Sequence, residues 1–183
     1  MFTSISLLKK YRMPFADRQT MFWLLGCLEK RERYAWLQKI NWRGCEYFYC
    51  YGMTQKSGVM GAYLSLFRNR IYLYPGTGDL TIEEYFAQGA LYNAELMKHP
   101  AMRSTWGSLI ASTAVHELYH RYQRLKLGAV LYTLAALPGI REVLLEGAAR
   151  EYGAMAEKDV AQIMATVSEN EAEKRREKAK YED

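Results

Sequence analysis

The chain has 183 residues, half of them hydrophobic and a quarter charged, with a formal net charge of +5. That is enough chain for one domain with a sizeable core, and the composition excludes a disordered or fibrous protein. The basic excess sits in short clusters (Lys9, Lys10, Arg12 and Arg18; Arg121, Arg124 and Lys126). It is not gathered on one element as a nucleic-acid binder requires, so no nucleic-acid partner is expected.

In chain order, Met1 to Leu8 is too short an apolar region for a signal peptide, and Lys9 and Lys10 follow it instead of preceding it. Residues 16–40 read as one helix, with Met21, Leu24, Leu25, Leu28, Tyr34 and Leu37 near helical spacing and the charged run Glu29 to Arg33 mostly exposed. Aromatic residues 46–53 read as a strand, and 59–67 and 70–74 as two more, with Arg68-Asn69 offering a tight hairpin turn. Three cysteines, Cys27, Cys45 and Cys50, lack the spacing of a disulfide scaffold or a metal knuckle and are expected to be buried, inert thiols.

Pro75 to Asp79 break the sheet, and Thr81 with Glu84 forms a capping box for a helix over 82–98 that ends before Pro100. The next helix spans 103–127, with Ile110, Ala111, Ala114, Val115, Leu118, Tyr122 and Leu125 as its core stripe and Gly128 at its C-terminal cap. Leu131 to Ala136 suggest a short helix, and Pro138-Gly139 restart the chain into a long helix over 140–166. The apolar stretch Leu127 to Ile140 is too short to span a bilayer. A cytoplasmic protein without a transmembrane segment is therefore the default expectation, with non-classical export invisible to such a test. The organisation expected is a single domain over 1–167 and a charged, helical or frayed tail over 168–183. The fold class is α+β, mostly helical with a small antiparallel or mixed sheet.

His116-Glu117-Leu118-Tyr119-His120 carries the chemistry. Residues i and i+4 share one face of a helix, so two imidazoles at that spacing can chelate one Zn²⁺. Glu117 projects off the ligand axis, where its carboxylate can serve a water activated by the metal. In a chain of this length a chance match to the pattern arises on the order of once in a few hundred sequences. Ser112, Thr113, His116, His120 and Gln123 form a polar stripe apart from the apolar one, suited to a cleft or to solvent.

A catalytic zinc takes a third protein ligand. His99, before Pro100, reads as a loop residue, which leaves the carboxylates Glu142, Glu146, Glu151 and Glu157 downstream. Glu146 is the choice, because it stands among Leu144, Leu145, Gly147, Ala148 and Ala149, where small residues permit close helix packing and a buried carboxylate needs a partner. Glu142 and Glu151 remain alternatives.

His116-Glu117-x-x-His120 followed by a helix with Glu146-Gly147-x-Ala149 resembles the gluzincin branch of the zincin metallopeptidases, over roughly residues 70–157. The resemblance implies a zincin-like fold: a zinc helix, a downstream helix supplying a glutamate, and a small sheet whose edge strand, here near Ile71 to Tyr74, pairs with an extended peptide. It implies a peptide or protein substrate, with His116, His120 and Glu146 on the metal and Glu117 as general base. Tyr132 and Tyr152 are candidates for oxyanion stabilisation. One departure stands out: many gluzincins carry an acidic residue four positions after the third ligand, and here that position is Arg150. Glu142 as ligand with Glu146 behind it is the arrangement that departure leaves open. The rival expectation is an inactive zinc-binding or regulatory module.

Overall fold

A computed structural model describes residues 9–51, 61–63, 69–73 and 100–179. Strand β1 (Lys9–Arg12) leads through Pro14 into helix α1 (Phe15–Glu29). A 3-10 segment follows (Glu32–Lys39), then β2 (Glu46–Tyr51), β3 (Gly61–Tyr63) and β4 (Arg70–Leu73). Helix α2 (Pro100–Ala135) carries the His-Glu-x-x-His segment. After a turn, a π-helical turn (Glu142–Glu146) runs directly into α3 (Gly147–Ala179). The helix expected over 82–98, its capping box and His99 lie outside the described residues.

The mostly helical α+β class expected from the sequence agrees with these elements, and the sheet is mixed. Its order is β1-β2-β4-β3. Strands β1 and β2 are antiparallel, β2 and β4 parallel, and β3 and β4 antiparallel. Ile71, Tyr72 and Leu73 are all buried, so β4 is covered on both faces, as a central strand must be. One expectation is corrected here. The strand near Ile71 is not an edge, because β2 and β3 flank it; among the described strands the edges are β1 and β3. The tight turn expected at Arg68-Asn69 lies partly outside the described residues; β3 and β4 pair antiparallel, with Tyr63 opposite Ile71. The Asn69 carbonyl accepts from the Glu46 amide at 2.8 Å and its side chain from Arg121.

The core lies where α1, the 3-10 segment, α2, α3 and one face of the sheet meet. Met21, Leu24, Leu25, Leu28, Tyr34 and Leu37 are fully buried there, together with Ala111, Ala114, Val115 and Leu118 of α2. Residues 16–40 do not form a single helix. Arg31 is extended (φ −88°, ψ 135°), and Tyr34 departs from helical geometry (φ −108°). The break lets Arg31, Arg33 and Tyr34 reach across to Asp159 on α3, so the charged run is not simply a solvated face. Both Arg31 and Arg33 donate to one Asp159 oxygen, and the Tyr34 hydroxyl donates to the other at 2.7 Å. Glu29, in the same run, accepts from the Trp42 indole at 3.1 Å and from Arg43 at 2.8 Å.

Cys45 is buried, and burial pushes its thiol up, consistent with an inert role, whereas Cys27 is only partly covered. Within α2 the helix breaks at Gly128 (φ 76°, ψ 165°), where the C-terminal cap was expected, and a second helical segment follows as far as Ala135, close to the short helix expected over 131–136; Gly139 supplies a second positive φ (86°) before the π turn. Leu125, expected in the core stripe, is exposed, because it lies at the end of the helix segment that the Gly128 break cuts off. Helix α3 continues past Thr166 to Ala179, with the charged residues from Glu169 onward exposed. Among the described residues no helix is long and apolar enough to cross a membrane.

Candidate metal centre

The polar stripe of α2 faces α3. Ile110, Ala114 and Leu118 turn into the core, and on the adjoining face Thr113, His120 and Gln123 are buried with His116 partly covered. Helix α3 approaches closely because Gly153 lies against the motif helix: a Cβ there would stand 3.4 Å from the Ser112 carbonyl and 3.5 Å from His116 Cβ. Ala149 and Ala156, on the same face, are fully buried. Gly147, expected to permit this contact, has nothing near its missing Cβ, so the close approach falls about one and two-thirds turns further on, at Gly153.

Three side chains converge in this seam. His116 Nε2 and His120 Nε2 are 3.1 Å apart. The Glu146 carboxylate lies 3.3 Å from His116 Nε2 through one oxygen and 3.5 Å from His120 Nε2 through the other. Tetrahedral zinc with bonds of about 2.0–2.1 Å sets its ligand atoms about 3.3 Å apart. One ligand atom from each residue lies within 4.8 Å of the other two, so the two-nitrogen, one-carboxylate donor set suits that ion, with a small closure of the carboxylate on it. The other downstream carboxylates are elsewhere: Glu142 is exposed and held by Arg150, and Glu151 and Glu157 are exposed.

Burial disfavours the charged forms of both His120 and Glu146, yet each favours the other. Glu146 and Glu117 hold the His120 imidazole above its usual range. His116, His120 and Arg141 hold the Glu146 carboxyl well below the ordinary carboxylate range. Glu117 behaves oppositely. Burial raises its carboxyl, the imidazoles only partly offset this, and its Oε2 has no hydrogen-bond partner among the described residues. Its Oε1 is 3.9 Å from His116 Nε2, beside the trio but outside it. A buried carboxylate with an unused oxygen beside a metal-ligand cluster suits a base awaiting a proton.

Two further residues belong to the site. Gln123 Nε2 donates to the Leu145 carbonyl at 2.8 Å, which leaves its Oε1 facing His120 Nδ1 at 2.9 Å. With the amide nitrogen committed, that oxygen accepts the Nδ1 proton, which turns the His120 Nε2 toward Glu146 and His116. Gln123 stood on the polar stripe in the sequence, and its spacing three residues after His120 was the signal for this role. Arg141, whose Nε donates to Glu146 at 2.6 Å, had no such signal, since it precedes the π turn. Replacing Gln123 with Ala is expected to weaken zinc affinity about 10–100-fold, measured by chelator competition; unchanged affinity would deny Gln123 the orienting role.

The tyrosines suggested for an oxyanion are packed. Tyr152 stacks on Tyr119 (centroids 4.5 Å apart) and meets Trp36 edge-on, while Tyr132 is buried against Leu145 and Ala135. No protein-family model, curated protein or solved structure matches the chain.

Proposed function

We propose that this protein is a zinc-dependent peptidase of zincin type. The observation that carries the reading is the convergence of His116, His120 and Glu146, with the buried, half-unpartnered Glu117 carboxylate beside them. His116 and His120 supply their Nε2 atoms and Glu146 a carboxylate oxygen. Zinc, when bound, polarises the scissile carbonyl and acidifies the attacking water. Glu117 takes the proton of that water and hands it to the leaving amine. Gln123 keeps His120 in the tautomer that offers Nε2, and Arg141 holds the Glu146 carboxylate in place. The zincin-like arrangement of the sheet is part of the same proposal. Strand β3, an edge among the described strands that packs against the motif helix, takes the substrate-pairing role in place of the central β4.

One observation favours the second reading, a module that holds metal without turnover. Arg141 engages one oxygen of the third ligand, and Arg150, where many gluzincins carry an acid, pairs with Glu142 instead of a histidine. Elemental analysis of the purified protein beside a His116→Ala/His120→Ala variant tests the metal on which both readings depend. About one zinc per chain, lost in the variant, is the expected result; no zinc in either protein after incubation with the ion removes both.

A further inference from the structure

The segment between the motif helix and the π turn is a hairpin that presents apolar side chains outward. Val130, Leu131, Leu134, Leu137, Val143 and Leu144 are 47–79% exposed. Two arms, one from the end of α2 and one from the π turn, close on a small core of their own, Tyr132, Ala135 and Leu145, separate from the main core. With that core turned inward, the large apolar residues of both arms and of the turn between them face out. Isolated exposed leucines are ordinary; a contiguous run on both arms marks a surface that meets something apolar.

Charge identifies the medium. From Leu118 to Arg141 the sequence contains Arg121, Arg124, Lys126 and Arg141 and no carboxylate. Arg141 is taken by Glu146, but neither Arg124 nor Lys126 makes an ion pair among the described residues, and Lys126 lies over the Tyr122 ring at the base of the hairpin. The first arm and the turn carry no carboxylate, and Glu142, the one carboxylate of the second arm, is paired with Arg150; with cations at the base that are unpaired among the described residues, the hairpin complements an anionic lipid surface: the tip enters the acyl boundary and the cations stay among the headgroups. A flat partner would cover one arm, whereas a fluid interface surrounds both. The hairpin is too short to span a bilayer, and none of the described helices can do so.

We infer that the hairpin over residues 125–144 docks the protein on the surface of anionic lipid bilayers. Leu144 is two residues from Glu146, so docking would hold the candidate metal centre beside the membrane; the inference itself does not depend on the metal. Co-sedimentation of the full chain with vesicles tests it, using phosphatidylcholine alone and an equal mixture with phosphatidylglycerol. Binding to the anionic vesicles is expected. Leu131→Asn/Leu134→Asn should lower it by about tenfold or more, since two exposed apolar side chains are lost. Arg124→Gln/Lys126→Gln, which leaves the apolar tip intact, should lower it by a similar factor, at about fivefold per charge, and erase the preference for anionic lipid. All four positions lie outside the main core, so both variants should keep the wild-type circular dichroism. Failure of the full chain to bind the anionic vesicles, or full binding by the apolar variant, overturns the inference. So does a concentration-dependent dimer in lipid-free solution that the apolar variant abolishes, which would give the surface to a second copy of the chain.

Discussion

Glu117→Gln should lower peptide hydrolysis by about 10²–10⁴-fold while leaving the zinc content unchanged. The amide preserves shape and volume but accepts no proton, and Glu117 stands beside the ligand trio without belonging to it. The same variant should unfold no earlier than wild type. Glu117 is a buried carboxylate raised by desolvation, with one oxygen unpartnered among the described residues, so replacing its charge relieves a penalty. Casein hydrolysis, zinc content and thermal unfolding measured on one preparation separate these effects. Retained hydrolysis would remove Glu117 from the mechanism. A coordinate fall in activity, zinc and stability would assign it a structural role instead.

Asp159→Ala should cost about 3 kcal/mol of stability. Asp159 is buried and accepts from Arg31, Arg33 and the Tyr34 hydroxyl, joining the break after α1 to α3. Removing it leaves the Tyr34 hydroxyl buried without its acceptor. The two arginines, with side chains 30% and 50% exposed, can turn to water, which keeps the loss below that of a fully buried charge pair. For a chain of this size the melting temperature should fall by roughly 6–12 °C. Tyr34→Phe, which removes only the hydroxyl, should cost about 1 kcal/mol. Calorimetry that finds the two variants equally mild would show that the arginines contribute nothing through Asp159.

Much of the candidate site was legible because it is local. The i, i+4 spacing of His116 and His120 needs only a helix, and the stripe Met21, Leu24, Leu25 and Leu28 needs only its period. Glu146 was singled out by a local oddity, a carboxylate among leucines and small residues. What escaped depends on partners distant in sequence or on irregular backbone. The helix break at Arg31 is stabilised by Asp159, some 128 positions away, and no local pattern encodes such a pairing. Leu125 continues the helical period of the core stripe, yet the Gly128 break sets the apolar hairpin apart from the core. The parallel pairing of β2 with β4, which makes β4 central, is a property of topology that strand patterning does not carry. Arg141 reaches Glu146 only through the wider π turn.

That π turn has an evolutionary consequence. A π turn holds one residue more than the α-helical turn it replaces, and each residue advances a helix by about 100°. Deleting any single position from Glu142 to Leu145 would let the segment relax to a regular helix; with the packing of α3 kept, Glu146 stays in place and the residues before the turn, Arg141 among them, swing round relative to it by about 100°. A relative that lost one residue here would retain both histidines, Glu146 and the fold yet lose the contact of Arg141 with the Glu146 carboxylate. Among descendants of this architecture, alignment length across the turn would therefore be a guide to whether an arginine before the turn still reaches the Glu146 carboxylate.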